Sequence, residues 1–214
     1  MTTIAVVDYG MGNLRSVAKA LEHVANDQRV LVTSNAADIQ NADRVVFPGQ
    51  GAARDCMLEI ADRDLKNVVL SAAKEKPFLG ICMGAQVLLS HSQENEGVDC
   101  LGLYPGEVKF FGHGLQDASG NTLKIPHMGW NGAHHNNEHP LWQGIKQDSR
   151  FYFVHSYYMA PQDSTVVQAT TDYGIQFVSA IGQNNVFAVQ FHPEKSAQDG
   201  LQLLKNFSHW GGQQ

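Results

Sequence analysis

The sequence predicts an α/β fold in three layers, with a mostly parallel central sheet and a smaller antiparallel sheet in the C-terminal half. Three observations carry that prediction. Short apolar runs, IAVVD at 4–8, RVVFPG at 44–49 and PFLGI at 77–81, read as strands buried on both faces. Stretches with apolar residues at helical spacing alternate with these runs through the first half, as parallel strands joined by helical crossovers require. The second half instead strings strand-like runs together with turn residues between them.

In chain order, IAVVD opens the fold, and after the glycines of YGMGN the residues Leu14, Val17, Ala18, Leu21 and Val24 make a helical stripe. RVLVTS and RVVFPG are further strands, the second stopped by Pro48-Gly49. Residues 55–75 carry helical patterns, and PFLGI leads into a second apolar helical pattern that starts at Cys82. Downstream, GEVKFF, RFYFVHSYYM, TVVQATT and IQFVSAIGQNNVFAVQF read as strands, with GQNN as a hairpin turn. The last helix places Gly200, Leu203, Leu204 and Phe207 on one face, with Ser196 as its candidate N-cap.

The chain has 214 residues, no internal repeat and no linker, and is expected to form one domain over 1–214. Hydrophobic residues make up 43% and charged residues 17%, enough for a sizeable core and too few charges for disorder. A net charge of −6 without a Lys/Arg cluster argues against nucleic acid or an anionic membrane as partner. No apolar stretch approaches the ~18 residues of a membrane span. The start MTTIAVVDYG lacks the basic segment of a signal peptide. Cys56, Cys82 and Cys100 are few and widely spaced, which fits a reduced, cytoplasmic protein.

The stretch FLGICMGAQVLL puts Cys82 between Gly80 and Gly84, where strand gives way to helix. A chain reversing that sharply collides with itself unless flanking residues lack a β-carbon, as in the G-x-S-x-G elbow of hydrolases. Such a turn presents the sulfur at the carboxyl edge of the sheet, where α/β proteins bind ligands. A helix N-terminus there favours the thiolate. The same residues also fit a small packing cysteine, so a base is needed.

Ten histidines compete for that role. His134, His135 and His139 lie in the polar NGAHHNNEHP, read as a solvated loop without a metal-ligand set. His23 and His91 fall late in helical patterns. His192 ends the apolar run VFAVQF, with Glu194 two positions on and Pro193 between them. In extended chain, residues i and i+2 share a side, so the carboxylate can hold one ring nitrogen while the other serves a nucleophile.

With both halves in view, the sequence resembles the class I, or triad, glutamine amidotransferases, and within them the glutaminase subunits of imidazole glycerol phosphate synthases. DYGMGNLRSV, FPGQGA, GICMGAQ, KIPHMGWN, FYFVHSYY and QFHPEKSAQDGLQLLKNF carry the resemblance over nearly the whole chain. It implies the flavodoxin-like three-layer fold of the class, and glutamine hydrolysis through a glutamyl thioester. Cys82 would be the nucleophile, His192 the acid–base and Glu194 its orienting carboxylate. The backbone N–H of Met83 and an amide near Gln50–Gly51 would stabilise the oxyanion. Gly49, Gln86, Ser156 and Tyr157 match substrate-binding positions. The family more often has an aliphatic residue at Gln50 and ICLGMQ where this chain has ICMGAQ. Backbone donors do not depend on those side chains. Gly49 and Gly51 are expected to leave the Gln50 peptide plane free to rotate.

Neither a metal nor an organic cofactor has a signal: ligands are unclustered, and neither G-x-x-x-x-G-K-[ST] nor G-x-G-x-x-G after a strand occurs. The resemblance does imply a partner, since ammonia released into water is protonated and lost as a nucleophile. That partner is the cyclase subunit, a (β/α)8 barrel, which would use the ammonia to form imidazole glycerol phosphate and an aminoimidazole carboxamide ribonucleotide in histidine biosynthesis. Asn13, His127, Trp130 and Asn131 are surface candidates for that contact. Another triad amidotransferase, a non-catalytic protein of the same fold and a cysteine peptidase remain as other readings.

Overall fold

A computed structural model describes residues 1–213. The first half runs β1 (Thr3–Val7), α1 (Leu14–Val24), β2 (Arg29–Thr33), α2 (Ala36–Asn41), β3 (Arg44–Gly49), α3 (Ala53–Asp62), α4 (Lys66–Glu75) and β4 (Phe78–Cys82). The strands pair parallel in the order β2-β1-β3-β4. β1, β3 and β4 are almost wholly buried, as unbroken apolar runs demand of strands covered on both faces. The short helix α2 has no counterpart in the sequence reading, because six residues hold too few apolar positions to show a period. Its start is marked by Asn35, whose side chain accepts the N–H groups of Ala37 and Asp38.

The chain continues through α5 (Met83–Gln86), β5 (Leu89–Ser92), β6 (Val98–Asp99), β7 (Tyr104–Phe110), β8 (His127–Gly132), β9 (His134–His135), β10 (Arg150–His155), β11 (Tyr157–Pro161), β12 (Val167–Asp172), β13 (Gln176–Gln183), β14 (Val186–Val189) and α6 (Ala197–His209). β14 pairs parallel with β4. Antiparallel β13, β11 and β7 then extend the same sheet, while β8 and β10 form a separate antiparallel pair. The GQNN turn closes the β13–β14 hairpin with Gln183 opposite Val186 and Asn184 at φ +54°.

Alternation along the strands splits the core into two layers. Ile4, Val6, Leu79 and Ile81 pack with α1 and α6, whereas Ala5, Val7, Val45 and Phe47 pack with α3 and α4. Leu203, Leu204 and Phe207 of α6 are fully buried, each contributing about 1.5–3 kcal/mol of apolar burial.

Four local expectations change. The helical pattern after Cys82 lasts one turn, and His91 lies in β5 rather than late in a helix. RFYFVHSYYM breaks at Ser156 into β10 and β11, which belong to different sheets. Within NGAHHNNEHP, His134 and His135 pair with β12, and His139 is a core residue, its ring 4.5 Å from that of Phe187. Ser196 precedes α6 without capping it through its side chain.

Candidate active site

Strand order alone brings three segments to one edge. Gly49 lies opposite Cys82 across β3–β4, and Val189 lies opposite Ile81 across β4–β14. The chain leaving β3 (Gln50, Gly51), the Cys82 elbow and the chain leaving β14 (Gln190 to His192) therefore emerge side by side at the carboxyl ends of parallel strands.

Cys82 takes φ +55° and ψ −112°, a conformation that L-residues rarely hold. A β-carbon on Gly84 would run into the carbonyl oxygen of Phe47, and one on Gly80 would stand 3.0 Å from the Ala188 β-carbon. The elbow glycines thus make room for the adjoining strands β3 and β14 as well as for the turn.

His192 Nδ1 lies 3.0 Å from Glu194 Oε1, with the two side chains 2% and 1% exposed. The geometry differs from the extended one expected, because Pro193–Lys195 form a turn of 3₁₀-helix and the carboxylate reaches the ring across it. Ser196 holds that turn: its hydroxyl donates to the His192 carbonyl at 2.6 Å and accepts the Tyr152 N–H at 2.9 Å. Burial by itself pulls the His192 imidazolium down. Cys82 before the ring and Glu194 behind it outweigh that and push it up to about 10. Glu194→Gln removes the carboxylate charge, so the imidazolium should lose its proton at a lower pH. We expect the alkaline limb of a kcat/KM profile to move down and the plateau to fall on the order of 10³-fold. An unmoved limb would show that Glu194 does not act on the ring.

A cavity of about 430 Å³ opens here, lined by Gln50, Gly51, Cys82, Met83, Gln86, Ser156, Tyr157 and His192. Gly49, the residue before Gln50, is wedged so that a β-carbon would meet the Tyr9 hydroxyl at 2.5 Å and the Gly84 nitrogen at 2.6 Å. Gly49 therefore has no room for a side chain, and the positive φ that favours glycine falls on Gly51 at +88°. Cys56, fully buried, donates its thiol to the Gln50 carbonyl at 3.4 Å. Burial raises the thiols of Cys56 and Cys100 to about 12 and about 11, leaving both protonated at neutral pH. Gln86 Oε1 is buried without a hydrogen-bond partner among the described residues.

Four lining residues were not singled out in the sequence: Glu94, Pro126, Val154 and His155. Glu94 accepts the Ala53 N–H at 2.7 Å, and burial raises its carboxyl. Its local sequence, QENEG, carries no signal, since the long-range packing of α3 brings it to the cavity. A larger, open cleft of about 580 Å³ between α1 and α6 shares none of these residues. Among the described residues, no group of three His, Cys, Asp or Glu is placed to hold a metal ion. No helix there is long and apolar enough to cross a membrane.

Of the surface candidates, Asn13 is partly exposed before α1 and Trp130 is 43% exposed. His127 is a correction: it is 3% exposed, its ring stacked 4.0 Å from that of Tyr173. Strand alternation explains this, since positions 127 and 130 of β8 face opposite sides. Met128, 63% exposed, shares the outer face with Trp130. Asn131 turns inward to His127 and the Asp172 carbonyl.

A cysteine elbow beside a buried histidine–glutamate pair, on this sheet, defines a class I glutamine amidotransferase domain, and the family model for glutamine amidotransferase class-I matches residues 5–210. Imidazole glycerol phosphate synthase subunit HisH of Hydrogenovibrio crunogenus is 56% identical over 212 residues, covering 98% of this chain and 97% of its own. The subunit of the same name from Nitrosococcus oceani is 57% identical over 212 residues, covering 99% of each. The chain belongs to this family of HisH amidotransferase subunits. At the level of fold, it resembles the solved structure of PurLQS from Thermotoga maritima, with a TM-score of 0.69 at 20% identity, covering 96% of this chain and 97% of that one.

Proposed function

We propose that Cys82, His192 and Glu194 carry out the glutamine hydrolysis of this family, on a single domain spanning residues 1–214. The observation that carries this reading is the β3-β4-β14 order, which sets the elbow cysteine beside a histidine backed by a buried carboxylate. The Cys82 thiolate attacks the side-chain amide carbon of glutamine and forms a tetrahedral oxyanion. The Met83 N–H and an amide of the Gln50–Gly51 segment stabilise that charge. As the intermediate collapses, the C–N bond breaks and the imidazolium proton of His192 goes to the leaving nitrogen, releasing ammonia. Water, deprotonated by His192, then opens the thioester to give glutamate and the free thiol. Gly49, Gln86, Ser156 and Tyr157 bind glutamine. The unpartnered Gln86 Oε1 accepts from its ammonium or amide, and Glu94 adds a carboxylate to the same wall.

The ammonia passes to a cyclase subunit, a (β/α)8 barrel, to make imidazole glycerol phosphate and an aminoimidazole carboxamide ribonucleotide. The setting is a reducing cytoplasm, in keeping with three free cysteines. Asn13 and the outer face of β8 meet this partner, with Trp130 as its anchor. The deciding experiment measures glutamate release with and without the cyclase subunit and its nucleotide ligand. Release should rise on assembly, and product should form from glutamine without added ammonia; failure of both would overturn the reading. Trp130→Ala should weaken binding to the cyclase at least about tenfold with melting temperature nearly unchanged, because the ring is exposed. Titration calorimetry beside a thermal melt checks this. A large loss of stability at wild-type affinity would make Trp130 a core residue instead of an anchor.

A further inference from the structure

The hydrogen bonds behind the cavity wall run in one direction. His155, 6% exposed at the end of β10, has Nδ1 at 2.8 Å from the Tyr157 carbonyl oxygen. A carbonyl only accepts, so Nδ1 carries the proton and Nε2 of the neutral ring must accept. The atom facing Nε2, at 2.9 Å, is Nδ1 of His127. That nitrogen therefore donates, which leaves His127 Nε2 to accept from Asn131 Nδ2 at 3.3 Å. One tautomer on each ring satisfies every bond. Burial favours those neutral rings, lowering His127 to about 4 and His155 to about 3.

On the other side, the Tyr157 carbonyl takes a second donor, Gln86 Nε2 at 2.8 Å. The same nitrogen donates to Gln190 Oε1 at 3.0 Å, and Gln190 Nε2 reaches Cys82 Sγ at 3.9 Å. Among the described residues the Gln86 amide is thus oriented only through its nitrogen, and Tyr157 is the shared acceptor that ties it to the histidines. His127 cannot swing, since its ring is stacked 4.0 Å from Tyr173 and 4.9 Å from Phe153.

We propose that His155 and His127 are positioning residues for glutamine hydrolysis, a relay from Asn131 that fixes the Tyr157 carbonyl and through it the Gln86 amide. This rests on the assignment of Gln86 and Tyr157 to glutamine binding. Neither ring has a part in bond making. Their effect falls on how well the substrate is held, so the relay should register in KM rather than in kcat.

The test is steady-state glutamine kinetics of the chain assembled with its cyclase subunit. In His155→Asn the amide nitrogen stands near Nδ1 and keeps the donor to Tyr157; in His155→Gln it stands near Nε2 and loses it. We expect KM within about threefold of wild type for the first and raised about tenfold for the second, with kcat within about threefold in both. His155→Leu combined with His127→Leu should raise KM little beyond His155→Leu alone, since a broken relay has nothing further to lose. If the leucine variants do not fold, the Asn and Gln pair decides. Equal KM in that pair would overturn the relay. Gln86→Ala separates the two readings: unchanged KM there overturns the binding assignment and the relay with it. A raised KM there, with equal values for the position 155 pair, overturns the relay alone.

Discussion

Cys82→Gly is expected to release no glutamate above background and yet to be more stable than Cys82→Ala. Both variants lack the sulfur that is the nucleophile of the proposed mechanism, so activity should fall at least about 10⁴-fold in each. Stability separates them through the backbone. At φ +55° and ψ −112°, position 82 is held where only glycine rests without strain, and a β-carbon there costs on the order of 1–3 kcal/mol. Glycine returns about 0.5–1 kcal/mol of that through its greater freedom in the unfolded chain. A net advantage of about 1 kcal/mol remains over alanine, the reverse of the ordinary ranking. Urea unfolding of the two variants measures it. If alanine proved equal or better, the elbow would not be under strain, and the positive φ would be no part of how the fold presents the sulfur.

Gly84→Ala is expected to cost about 3 kcal/mol of stability and to abolish most glutaminase activity. In an ordinary helical position the same change gains up to about 1 kcal/mol. Here the added methyl meets the backbone carbonyl of Phe47, and that residue cannot shift alone. Phe47 is in register with Gly80, and two residues on Gly49 is in register with Cys82, so moving β3 moves the segment that carries Gln50. Overpacking against backbone sits at the upper end of what such insertions cost. Relief by a shift of the elbow would misplace the sulfur, and such a displacement costs about 100-fold in rate. Gly211→Ala, with nothing within 4 Å of its added β-carbon, is the neutral comparison. Equal melting temperatures for the two substitutions would show that the β3–elbow contact is loose.

How far each residue could be read in advance followed how local its determinants are. Cys82 with its glycines, and His192 with Glu194, stand out because their partners lie within two residues. Even there the route differed: Glu194 reaches the ring across a 3₁₀ turn, which the Ser196 hydroxyl holds. His127 and Trp130 share a short motif that suggests one surface, whereas a strand sends positions 127 and 130 to opposite faces. The helical reading of His91 fails because a single turn, α5, gives way to a strand within the short apolar stretch Val87–Leu89. A short apolar run does not reveal by periodicity which of the two it will be. Glu94 has no local mark at all, and His155 is marked only as a member of the FYFVHSYY stretch, not as a lining residue.

From its own residues, then, the chain determined the parallel first half, the elbow, the histidine–glutamate pair and the family to which it belongs. Tertiary structure alone decided that β14 lies beside β4, which brings His192 to the same cavity as a cysteine far away in sequence. It also decided that Tyr157 would receive both Gln86 and His155. The division has a physical cause. Turns, faces and hydrogen-bonded neighbours are written in spacings of two to four residues. Strand order instead minimises the exposed apolar surface of the whole chain at once, a sum over contacts that no single stretch contains.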